Sequence, residues 1–108
     1  MDSSSLASIM KHVGKRYAFT SEHYPILDQL SPTQRKMFAV NHSHLHMSKS
    51  LGKIATECEN FDHSGIINQT ALEKATVKMF INTLKLAEEL GMSASDLCSK
   101  VPEFIRNK

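Results

Sequence analysis

Long apolar runs are missing from this sequence. No stretch approaches the roughly 20 consecutive apolar residues of a membrane-spanning helix, so no membrane association is expected. Glycine and proline are scarce, at four and three in 108 residues, which leaves little turn chemistry for a β-rich fold. There are two cysteines, Cys58 and Cys98. They stand far apart with no C-x-x-C spacing, which excludes a disulfide framework and a zinc knuckle. Tryptophan is absent, and no glycine-rich phosphate loop or G-x-S-x-G elbow occurs. A strong excess of one charge is lacking as well. Thirteen Lys+Arg against 11 Asp+Glu give +2, too mild a balance to make nucleic acid the expected partner. The start, Met1-Asp2-Ser3-Ser4-Ser5, has neither the basic region nor the apolar segment of a secretory leader. A cytoplasmic protein is expected.

What is present is helical periodicity. Leu6, Ile9, Met10 and Val13 follow the i, i+3, i+4, i+7 rule, with a serine cap among residues 3–5 and Gly14 as the expected stop. Residues 15–30 read as an irregular arm carrying Tyr17, Phe19, Tyr24, Ile26 and Leu27, with Pro25 able to open a short helical turn. Ser31-Pro32-Thr33-Gln34 is a capping box with proline at the first helical position. From there Met37, Val40, His44, Met47, Leu51, Ile54, Cys58 and Phe61 step by threes and fours. This predicts a helix over about residues 32–60 with one continuous buried seam, on which Cys58 and the methionines are core and His44 is a core or subunit-interface residue. Asp62-His63-Ser64-Gly65 reads as a turn. A capping box of Thr70 and Glu73 opens a third helix whose apolar surface is wide enough to need partners on two sides. Gly91 ends it, Ser93 caps a fourth helix, and Pro102 interrupts or kinks that helix.

The expected fold is all-α: a four- to five-helix bundle with a long central hairpin. One domain spans 1–108, divided into an N-terminal helix and arm (1–30) and a helical core (31–108). The wide stripe on the third helix predicts completion of the core by self-association, as a homodimer or a dimer of dimers.

Over about residues 40–105 the second half resembles the MazG-like superfamily of all-α nucleoside-triphosphate pyrophosphohydrolases. The resemblance rests on Leu51-Gly52-Lys53-Ile54-Ala55, on Leu84-Lys85-Leu86-Ala87-Glu88-Glu89-Leu90-Gly91-Met92, and on Ser95-Asp96-Leu97. It implies a Mg²⁺-dependent activity carried by E-E-x-x-E on one helix and E-x-x-D on the next. The chain departs from that pattern. No acidic residue lies between Asp28 and Glu57, and none between Glu73 and Glu88. Glu57 and Glu59 are two apart and point about 160° away from each other on a helix. No metal ligand transfers, so a degenerate, non-catalytic member is expected.

Cations fill the acid-free stretches. Lys49 and Lys53 are neighbours at i, i+4, and Lys74, Lys78 and Lys85 lie on the third helix. Solvated helix faces are the ordinary reading of such lysines. The functional reading is a metal-free site for a nucleotide or other phosphate-bearing ligand, formed by Lys49, Lys53, Lys78, His42 and His46. His42 and His46 also share a face at the spacing of a metal pair, which His63 could join across the hairpin. Mg²⁺ or Zn²⁺ would be the metals concerned, and the sequence requires neither. Two alternatives stand beside this reading. One is an active hydrolase using these histidines with Asp62 and Glu73, or borrowing Glu22 or Asp28 across a subunit boundary. The other is a plain helical interaction module.

Overall fold

The computed structural model describes residues 3–107. Among them there are four α-helices and one 3₁₀ helix, in the order α1 (Ser3–Arg16), η1 (Pro25–Gln29), α2 (Pro32–Ser64), α3 (Gln69–Glu89) and α4 (Ala94–Arg106), and no strand. None of the helices is long and apolar enough to cross a membrane.

The helix ends follow from local chemistry. Ser31 accepts from the Gln34 backbone N–H at 3.2 Å, and the Gln34 side chain accepts from the Ser31 N–H at 2.9 Å, the expected capping box of α2. The helix then runs further than expected. Asp62, His63 and Ser64 form its last turn, and the stop is Gly65 at φ 70°, whose N–H donates to the Phe61 carbonyl. The third helix begins one residue before Thr70, and its cap is Asn68, which accepts from the Ala71 N–H; Thr70 and Glu73 form no capping box. Its C-terminus is a Schellman motif: Gly91, at φ 76°, donates to the Glu88 carbonyl and Met92 to that of Ala87. Ser93 and Asp96 cap α4 reciprocally, and that helix continues through Pro102 to Arg106. Gly14 does not stop α1. It lies inside the helix, where an added Cβ would come within 2.9 Å of the Glu88 carboxylate, so the absence of a side chain there lets α1 approach α3. Ser3, Ser4 and Ser5 stand in the first turn of α1, and the residue before Ser3 lies outside the described residues.

The connection 65–68 folds α2 and α3 into a long antiparallel hairpin, packed along its length. The wide apolar surface of α3 is used on two sides. Ala75 lies beside α2, while Leu84 and Ala87, about 180° and 120° further round the helix, are also buried, and α3 packs against α1 as well as α2. Helix α1 also packs against α4.

The buried line of α2 is not the expected seam. Ala39, Ser43 and Ser50 are its buried residues, one position earlier on the helix, a rotation of about 100°. Small side chains win this face because they let the two backbones approach. The larger seam residues are turned outward: Val40, Met47 and Ile54 are half-buried, and Met37, His44, Leu51, Cys58 and Phe61 are exposed. Within the protomer His44 and Cys58 are therefore surface groups, not core. The buried apolar residues are Val13, Leu27, Ala39, Ala75, Leu84, Ala87 and Ala94, four of them alanine.

Candidate functional site

The arm between α1 and α2 carries Phe19 and Tyr24 onto the first turns of α2. Leu27, buried in η1, anchors its far end. The rings of Phe19, Tyr24, Phe38 and His42 form one cluster with centroid separations of 5.0 to 6.3 Å, mostly edge to face. Lys85 reaches into it from α3. Its ammonium sits 3.9 Å from the Phe19 ring centre and 5.6 Å from that of Tyr17, cation–π distances. Burial lowers the Lys85 ammonium below the usual lysine range, opposed by Glu89 and Glu88.

His42 is bonded on one nitrogen from two directions. The Tyr24 hydroxyl and the His46 Nε2 each lie 3.0 Å from His42 Nε2. A contact between two imidazole nitrogens needs exactly one proton between them, so the pair cannot be doubly protonated in this geometry. Both histidines are held below the ordinary imidazole range. The causes are burial first, then for His42 the neighbouring His46, Lys85 and Lys49, and for His46 the lysines 49, 85 and 78.

Beside this pair opens a cleft of 370 Å³, within the span of small-molecule sites. Arg16, His23, His42, His46, Lys78 and Lys85 line it, with Tyr17, Tyr24 and Asn82 and without a single carboxylate. A second hollow of 510 Å³ adjoins it along the hairpin, sharing His46, Lys78 and Asn82. It adds Lys49, Lys53 and Lys74 against one acid, Glu57. The structure thus gathers Lys49, Lys53, Lys78, His42 and His46 on one flank of the hairpin. His63 is not brought to them: it lies 17 residues beyond His46 on the same helix, about 26 Å along the axis.

A metal reading of the pair fits this environment poorly. Among the described residues no three His, Cys, Asp or Glu side chains converge on a point where an ion could sit. The other charges around the pair are ammonium and guanidinium groups, which repel a cation and attract an anion. Several members of the cleft were not singled out from the sequence. Arg16 stands at the basic end of α1, His23 sits in the irregular arm, and Lys85 is one of three lysines on α3. A signal existed in the arm: Tyr17, Phe19 and Tyr24 crowd eight residues of a chain that has only five Phe and two Tyr.

Comparison with known protein families, with curated proteins and with solved structures finds no match.

Proposed function

We propose that this protein binds a phosphate-bearing small molecule, of the nucleotide class, in the cleft between the arm and the α2–α3 hairpin, without needing a metal ion. The observation that carries the reading is the lining of the cleft: Arg16, Lys78, Lys85 and three histidines, and no carboxylate. Phosphate oxygens accept from such donors directly, and the ring-walled end supplies flat apolar surface for a base or another planar group. This is a binding role and not a hydrolytic one. The acid-free stretches of α2 and α3 that the sequence displays are the same stretches that wall the cleft. On this reading the protein is a MazG-like helical protein that has exchanged carboxylate–metal chemistry for direct cationic capture, and serves as a nucleotide-dependent regulatory module.

Thermal unfolding of the full chain against ATP, ADP, adenosine and inorganic phosphate, in chelator and then with Mg²⁺, tests this. A ligand that binds the native state raises the midpoint. The expected result is a rise with ATP and ADP that persists in chelator, is absent with adenosine, and weakens about tenfold in apparent affinity on Lys78→Ala. Stabilisation that appears only with Mg²⁺, accompanied by pyrophosphate release, would reverse the conclusion in favour of an active hydrolase. No midpoint shift with any phosphate compound would remove the binding reading.

A further inference from the structure

The protomer exposes more surface than its mass accounts for. Its accessible area is 8090 Å² at 12.1 kDa. A folded monomer of that mass exposes about 6,000 Å². Its radius of gyration is 16.6 Å, against about 13 Å for a compact chain of this length. The surplus of about 2,000 Å² per protomer is of the size that obligate homodimers remove from water. The four alanines among the buried apolar residues describe the same deficit from inside.

One face supplies a coherent part of the surplus. The α2–α3 hairpin has two flanks, and the cationic cleft takes one. The register that sets Lys49 and Lys53 opposite Lys78 and Lys74 also sets Met47 level with Met79 and Ile54 level with Leu72 on the other flank. There, between Met37 and Cys58 on α2 and between Leu72 and Leu90 on α3, the outward positions carry no Lys, Arg, Asp or Glu. His44 and the Cys58 thiol are its ionisable side chains. The polar members on α3 are already satisfied: Thr76 donates to the Leu72 carbonyl and Thr83 to that of Met79, which leaves their methyl groups outward. Apart from the imidazole of His44 and the weak thiol donor of Cys58, such a flank can be dried without stranding a side-chain donor. Phe104 and Ile105 of α4 are individually more exposed, but they stand between Glu103 and Arg106 and span a single turn.

We infer that a second copy of this chain docks on this uncharged flank, two hairpins closing into a four-helix core around Met47, Leu51, Ile54, Leu72, Met79 and Leu86. The flank runs about 32 Å along α2 and is two helices wide. That gives a footprint of roughly 600 Å² before corrugation, close to the ~800 Å² per partner of a stable interface. A second copy is favoured over a foreign partner because both helices offer the same apolar character at each level. A two-fold axis then lays apolar side chain on apolar side chain in either sense. The cationic cleft stays open on the outside, so the inference does not rest on what the cleft binds.

Two exposed leucines of α2 make the test. Leu51 is 54% exposed on the flank, and Leu45, 50% exposed, points about 120° away from it. Sedimentation velocity of the full chain over a micromolar concentration series is expected to give twice the protomer mass. Leu51→Glu is expected to raise the dimer dissociation constant at least about tenfold with the far-ultraviolet helical signal retained, while Leu45→Glu leaves it unchanged. A second readout uses the unaltered protein and stands even if a variant fails to fold. Cys58 is an exposed thiol on the flank and Cys98 lies in α4. Thiol labelling of Cys58 is expected to slow as concentration rises through the association range, and labelling of Cys98 to keep its rate. A wild-type chain that stays monomeric throughout overturns the inference. So does dissociation by Leu45→Glu with Leu51→Glu still dimeric, or Cys58 labelling that ignores concentration.

Discussion

Ser43 is wholly buried in α2, and its hydroxyl finds no partner. The position selects for small volume, to let α3 approach, and a hydroxyl left without a hydrogen bond there costs about 1–3 kcal/mol. Ser43→Ala keeps the volume and removes the orphan, so we expect a gain of about 1 kcal/mol in unfolding free energy by urea denaturation. Gly52 offers a second gain on the same helix. An added Cβ would meet nothing within 4 Å, so Gly52→Ala is expected to stabilise by about 1 kcal/mol through helix propensity alone. A loss at Gly52 would mean that its bare surface is used by something outside the protomer. Neither position could be ranked from the sequence. Serine in a helix is neutral until its burial is known, and an interior glycine marks a close approach or nothing. Gly14, which looked like a stop, is the one that marks an approach.

At the scale of elements, ends were more legible than faces. Ser31 with Gln34, Ser93 with Asp96, Pro25 and Gly91 all act as their local chemistry dictates, because a cap is made by residues within one turn of it. Ser31→Ala removes the acceptor for the Gln34 N–H, and we expect a cost of about 1 kcal/mol, read as a lower thermal midpoint with unchanged helical content at low temperature. The face of α2 was misread for a physical reason. Periodicity finds where large apolar residues recur, whereas intrachain packing chose the adjacent small ones, and periodicity cannot say whether an apolar stripe is buried by its own chain or by another. The candidate site was half legible for a related reason. Lys49, Lys53, Lys78, His42 and His46 share helix faces that spacing reveals, while Arg16, His23 and the rings of the arm arrive through tertiary docking.

For the molecule as a whole, the histidine pair makes acidity a variable. His42 and His46 are held below the ordinary imidazole value near 6.5. The folded state therefore binds fewer protons than the unfolded chain in the window below that value, and stability falls as pH drops through it. We expect the thermal midpoint to be level above about pH 6.5 and to decline below it. Replacing both histidines by glutamine should flatten that decline. An anion in the cleft acts oppositely, because it favours the protonated pair. Sulfate, whose charge is constant over this range, is expected to bind more tightly at pH 5.5–6 than at pH 8, about tenfold if one further positive charge is gained. Sulfate affinity that does not change with pH would detach the pair from the cleft's electrostatics.

The arm also sets an order of opening. Helices α2 and α3 pack on each other along the whole hairpin, and that hairpin carries most of the contacts between elements. The ring cluster instead needs Phe19 and Tyr24 to dock on Phe38 and His42, with Leu27 as the single buried anchor of η1. A segment with so small a buried apolar area opens at a free energy well below that of global unfolding. Amide hydrogens of residues 17–30 are then expected to exchange with solvent while those of the hairpin stay protected. A ligand spanning Tyr24 and Lys78 would slow that exchange in proportion to its occupancy. The arm thereby becomes a clock for the cleft, one that can be read without knowing what the cleft holds.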